Sequence, residues 1–145
     1  MSAHVLLAVD LLKGSHSLSL KALTMAEKLN AKLSIIHIVE TPLPNQYAHA
    51  LGFAELIEPS LHSAKAVLAT LADELEIPSS QQYTFAGKAS FLITEQAKKL
   101  GVNTLIIGAQ GENNLPHLLG STANSILHKA HCDVLTIKTQ TPSKG

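Results

Sequence analysis

The chain has 145 residues, 46% hydrophobic and 15% charged, and Lys+Arg balances Asp+Glu at 11 each. That length fits one domain over residues 1–145 with a sizeable core, and the composition excludes a disordered chain. A formal net charge of +0 and an aromatic content of 3% leave neither the basic footprint nor the stacking platforms of a nucleic-acid binder.

His4 to Val9 is a continuous apolar run, which predicts a strand buried on both faces. Asp10 ends it, either as a cap for the next turn or as a ligand group. Leu11 to Ser17 reads as a loop holding Lys13, Gly14 and Ser15. A helix to about Asn30 follows, with Leu18, Ala22, Met25 and Leu29 on its apolar face. Lys32 to Val39 is a second buried strand, and His37 within it reads as a satisfied core histidine.

Glu40 to Gly52, with Pro42 and Pro44, reads as a long connection of the kind that often covers a site. The next helix ends near Glu76 and places Ile57, Leu61, Ala64, Leu68, Leu71 and Leu75 on one face. Pro59 fits badly inside a helix, so it is read as the first helical residue, with Phe53 to Glu58 a separate turn. Gln81 to Ala86 is a third strand, Gly87 turns the chain into a helix from about Ser90 to Leu100, and Gly101 closes that helix.

Asn103 to Ile107 is a fourth strand, ended by Gly108. Gly111 follows, and Gly120 precedes a last helix whose apolar face is Ala123, Ile126, Leu127 and Ala130. Strand, glycine loop and helix start is the layout of a phosphate site, because the free N–H groups and dipole of a helix N-terminus favour an anion. An ordinary loop before a Ser121 or Thr122 cap is the competing reading. The loop has neither G-x-x-x-x-G-K-[ST] nor G-x-G-x-x-G, and Glu112 is its one formal charge between Gly108 and Ser125. Any phosphate there rests on N–H groups and hydroxyls. Asp133 to Lys138 is a fifth strand, and Thr139 to Gly145 reads as a loose polar tail.

Strands alternating with helices predict an α/β fold with a parallel sheet covered on both faces. Ligands in such sheets sit beyond the C-terminal strand ends, where strand order reverses. The single cysteine, Cys132, excludes an internal disulfide and reads as a small core residue. His128 and His131 lie three apart, but no Cys or carboxylate completes a metal set, so they read as a surface pair. A nucleophile elbow, G-x-S-x-G, is absent. No apolar run reaches the roughly 18 residues of a membrane span, and the N-terminus lacks a basic n-region. A cytoplasmic location is expected.

Several stretches together resemble the universal stress protein family over nearly the whole length. They are V-L-L-A-V-D ending at Asp10, I-I-H-I-V-E ending at Glu40, Gly87, L-I-I-G-A-Q-G, H-L-L-G-S-T-A and H-K-A-H-C-D-V-L-T-I-K. The resemblance implies a three-layer, Rossmann-like fold of the adenine nucleotide alpha hydrolase type. Its five-stranded parallel sheet has the order 3-2-1-4-5, with four helices. The family includes members that bind ATP, with the pattern G-x2-G-x9-G-[ST], and members that do not. Here eight residues separate Gly111 from Gly120-Ser121, one fewer than in that pattern.

Carried onto this chain, the resemblance puts Asp10 near the ribose or a nucleotide-bound magnesium ion. The Ile38 backbone would read the adenine edge, and Gly108, Gly111, Gly120, Ser121 and Thr122 would hold ribose and phosphates. Lys13 is the nearest cation in sequence and is read, independently of the family, as a phosphate contact. The expected function is a stress-response sensor or regulator binding ATP, AMP or ADP. It would act as a homodimer paired through Val134, Leu135 and Ile137. No general base is placed, so no enzyme is expected, with slow hydrolysis left open. The alternatives are an interaction module of the non-binding branch and, third, an ATPase or nucleotidyl-transfer enzyme.

Overall fold

The computed structural model describes residues 3–11, 15–40, 53–110 and 121–139. In chain order these form β1 (His4–Ala8), α1 (Ser15–Lys28), β2 (Lys32–Glu40), α2 (Phe53–Glu74), β3 (Gln82–Gly87), α3 (Ala89–Leu100), β4 (Thr104–Gln110), α4 (Ser121–Lys129) and β5 (Asp133–Thr139). The strands make one sheet of order β3-β2-β1-β4-β5, and every neighbouring pair is parallel. That is the expected order.

Strand alternation builds the three layers. Val5 and Leu7 of β1, with Val9 just beyond its end, share a buried cluster with Leu33 and Ile35 of β2 and Ile106 of β4. Leu18, Ala22 and Ala26 of α1, with Leu68 and Ala72 of α2, complete it. The intervening residues Leu6, Ile36, Ile38, Leu105 and Ile107 join a second cluster with Ala89, Ile93 and Ala97 of α3 and Ala123 and Ile126 of α4. A strand whose every residue is apolar therefore feeds two cores at once, which explains the continuous runs in the sequence. Each fully buried Leu or Ile contributes roughly 1.5–3 kcal/mol relative to exposure.

Two glycines fix the ends of α3. Gly101 is left-handed, at φ 65 and ψ 38, and its N–H returns to the Ala97 and Lys98 carbonyls. Gly87, at φ 150, passes so close to α3 that a Cβ there would lie 2.8 Å from Leu92 Cδ1. Both are the turns expected from the sequence.

Five expectations need correction. Helix α2 runs unbroken from Phe53 through Pro59, so Pro59 is internal and not the first helical residue. Helix α1 stops at Lys28, and Leu29 lies beyond it, exposed, just before left-handed Asn30 at φ 53. Leu127 of α4 is exposed and not part of the buried face. Strand β4 continues through Gly108 to Gln110, because β5 supplies partners as far as Thr139. Thr139, expected in the tail, is therefore in the sheet. The Glu40–Gly52 connection, apart from Glu40 itself, and the tail beyond Thr139 lie outside the described residues.

Candidate functional site at the switch point of the sheet

Strand order reverses between β1 and β4, which lie side by side; β1 ends at Ala8 while β4 runs on beside β5 to Gln110. Their register ends at Ala8 against Ile107, while β1 pairs with β2 up to Ala8 against Ile36. Two residues past Ala8 stands Asp10, two residues past Ile36 stands Ile38, and one residue past Ile107 stands Gly108. The fold thus brings Asp10, Ile38 and Gly108 to one edge. Ser121 opens α4 and half-buried Thr122 follows it. Ala123, next in that first turn, belongs to the same buried cluster as Ile38 and Ile107. Lys13, Gly111 and Gly120 lie outside the described residues.

Asp10 is exposed, and the Ser15 hydroxyl donates to its carboxylate at 3.1 Å. Ser15 is buried as the first residue of α1, and its carbonyl accepts from Ser19 Oγ at 2.6 Å. The sequence placed Ser15 in a loop; its hydroxyl beside a helical pattern was the signal for a helix-start role. Between Asp10 and α1, Leu11 holds a left-handed φ of 61 while packing against the first core. That conformation costs a branched residue about 1–2 kcal/mol, and core packing offsets it. The carboxylate is thus presented to solvent on a chain segment tied at both ends.

The backbone of β2 also turns polar groups toward this edge. Val9 N–H donates to the Ile36 carbonyl at 3.0 Å, so Ile36 directs its polar groups toward β1. Alternate residues of a parallel strand point the same way. The N–H and C=O of Ile38 therefore also face the β1 side, at the level where β1 has ended. His37, read as a satisfied core histidine, is half-buried, and its Nδ1 lies 2.8 Å from the Val9 carbonyl. A carbonyl only accepts, so Nδ1 carries the proton. The histidine is satisfied, as expected, but by the carbonyl of the residue next to Asp10, a contact that no local spacing signals.

The other singled-out groups lie elsewhere. Cys132 is half-buried; burial, and then neighbouring Asp133, push its thiol above the usual range, against a weaker opposing hydrogen bond from the Leu105 backbone. It stays protonated at neutral pH. His128 and His131 are exposed near the end of α4. Among the described residues no three His, Cys, Asp or Glu gather as a metal set, and no helix is long and apolar enough to cross a membrane.

Comparison with known proteins agrees with this architecture. "Universal stress protein A homolog 1" of Coxiella burnetii is 33% identical over 136 residues, covering 92% of this chain and 94% of that relative. The structure of universal stress protein UspA from Lactobacillus plantarum superposes with a TM-score of 0.75 at 20% identity, covering 94% and 99% of the two chains. A universal stress protein in complex with cAMP has the same fold, with a TM-score of 0.66 at 17% identity over 95% of this chain and 98% of its own. The family model Usp, the universal stress protein family, matches residues 1–138, and the chain belongs to that family.

Proposed function

We propose that the chain is an adenine-nucleotide-binding regulator of the stress response and that the nucleotide lies across the β1–β4 switch point. The observation that carries the reading is that the Ile38 N–H and C=O face the β1 side beyond the end of β1, where the exposed Asp10 follows two residues after Ala8. One N–H and one C=O match the edge of adenine, where N1 accepts and the 6-amino group donates. Asp10 suits a ribose hydroxyl or a magnesium ion carried by the phosphates. The start of α4 offers the N–H groups of Ser121 and Thr122 and the Thr122 hydroxyl to anionic oxygens. A related protein of the same fold holding cAMP supports the ligand class. None of these residues is a placed general base, so the reading is of binding and not of turnover.

One observation favours a second reading, an interaction module that binds no nucleotide. The glycine spacing from Gly111 to Gly120 is one residue shorter than the binding pattern, and the segment carries no Lys or Arg.

Thermal melting of wild type and Gly120→Val, with and without ATP and magnesium, separates the two. On this reading a β-branched side chain at position 120 would take the space of phosphate oxygens. Wild type at one hundred times its dissociation constant gains about 2.7 kcal/mol, and the variant gains nothing. Equal gains in both move the nucleotide elsewhere. No gain in wild type favours the interaction module.

A further inference from the structure

We infer that His37 is a positioning residue for the candidate nucleotide site: its ring caps the Val9 carbonyl and so leaves the Ile38 N–H to the ligand. The inference rests on the nucleotide reading only for what that N–H meets. The geometry behind it belongs to the ligand-free chain.

The Val9 N–H makes a ladder bond to Ile36 at 3.0 Å. In a continuing parallel ladder, the next bond runs from the Ile38 N–H to the Val9 carbonyl. At that carbonyl stands His37 Nδ1, at 2.8 Å, donating from the neighbouring residue of β2. The side chain has taken the place of the next rung. If the rung formed, β1 would extend by a residue and draw the Ile38 amide into the sheet. With the ring in place, β1 ends at Ala8.

Two further contacts agree with a chain held back from the ladder. Leu11 turns to φ 61 immediately after Asp10, which no extended strand permits. The Ser15 hydroxyl takes the Asp10 carboxylate toward α1. His37, Leu11 and Ser15 thus act on three consecutive residues, Val9 to Leu11. Of the three, His37 alone controls whether a backbone donor faces the ligand.

Asparagine supplies the test, because its side-chain nitrogen stands where His37 Nδ1 does. Leucine has no donor there, and glutamine carries its donor one bond farther out. The experiment is calorimetric titration of ATP with magnesium into wild type, His37→Asn, His37→Leu and His37→Gln. Amide hydrogen exchange of Ile38 is followed by NMR in the same proteins without nucleotide. His37→Leu and His37→Gln should bind ATP about five- to tenfold more weakly, the loss of one hydrogen bond. Their Ile38 amide should exchange more slowly, as the ladder closes onto Val9. His37→Asn should keep wild-type values of both. If His37→Leu does not fold, His37→Gln carries the comparison.

Unchanged Ile38 exchange in all variants overturns the inference, as does His37→Asn losing as much affinity as His37→Leu. If wild type binds no ATP while Ile38 exchange responds as described, the nucleotide reading fails and the backbone role of His37 stands.

Discussion

Asp10 and His4 sit at opposite ends of β1 and meet opposite environments. Asp10 faces water with a serine hydroxyl on its carboxylate. His4 is buried at the other end of the strand, with Nε2 2.7 Å from Ser34 Oγ. Its backbone N–H donates to Asn103 Oδ1 at 2.7 Å and its carbonyl accepts from the Asn103 N–H at 2.8 Å, which ties β1 to the start of β4. Burial first, then the nearby Lys32 charge, lower the His4 pKa below its ordinary 6.5, against a weaker opposing hydrogen bond from the Leu100 backbone. The unfolded chain therefore binds the proton more readily than the folded one. Stability is full above the unfolded value of 6.5 and falls as pH drops below it. Urea unfolding at about pH 7.5 and about pH 5.5 checks this. The wild-type midpoint should fall on acidification by more than that of His4→Gln. Equal falls would assign the acid sensitivity to other groups.

At the scale of elements, the sequence was legible where one rule dominated. Continuous apolar runs read as strands feeding two cores, and Gly87 and Gly101 marked both ends of α3 because the positive φ at each favours glycine. Pro59 misled, since its bias toward the first helical turn is weaker than the continuity of the periodic pattern around it. Leu29 and Leu127 misled for another reason: apolar spacing marks a face, but Leu29 falls past the end of α1 and Leu127 falls on the exposed side of α4. Gly108 read as a strand end because glycine weakens strands, yet pairing with Ile137 of β5 carries the ladder through it. At the site, residue types were readable and contacts were not. Asp10 and Ile38 could be placed by resemblance, whereas the His37–Val9 and Ser15–Asp10 hydrogen bonds depend on packing that no local spacing encodes.

At the scale of the molecule, the sheet has two edges, β3 and β5. An edge strand presents unpaired backbone groups, and self-pairing across a two-fold axis is one way to use them. We propose that β5 pairs antiparallel with its copy. The apolar residues expected to drive this divide their duties: Leu135 and Ile137 pack against the first core and Val134 against the second. A charge at Leu135 would therefore injure the fold as well as any dimer. Thr136, exposed on the same strand, is the better probe. Light scattering should give about twice the chain mass of 15.4 kDa for wild type. Thr136→Glu, which sets like charges against each other across the axis, should shift the mass toward one chain. A wild-type monomer at micromolar concentration would contradict the proposal.

Binding at the switch point is the claim on which the rest depends, and Asp10 is its most direct probe, because the carboxylate is exposed and contributes nothing to either core. The measurement is calorimetric titration of ATP and magnesium into wild type and Asp10→Ala, with a thermal melt of each ligand-free protein. We expect saturable binding to wild type, affinity at least about tenfold weaker for Asp10→Ala, and nearly coincident melts without ligand. Equal affinities in the two proteins, or an Asp10→Ala chain that melts far below wild type before any nucleotide is added, would contradict it.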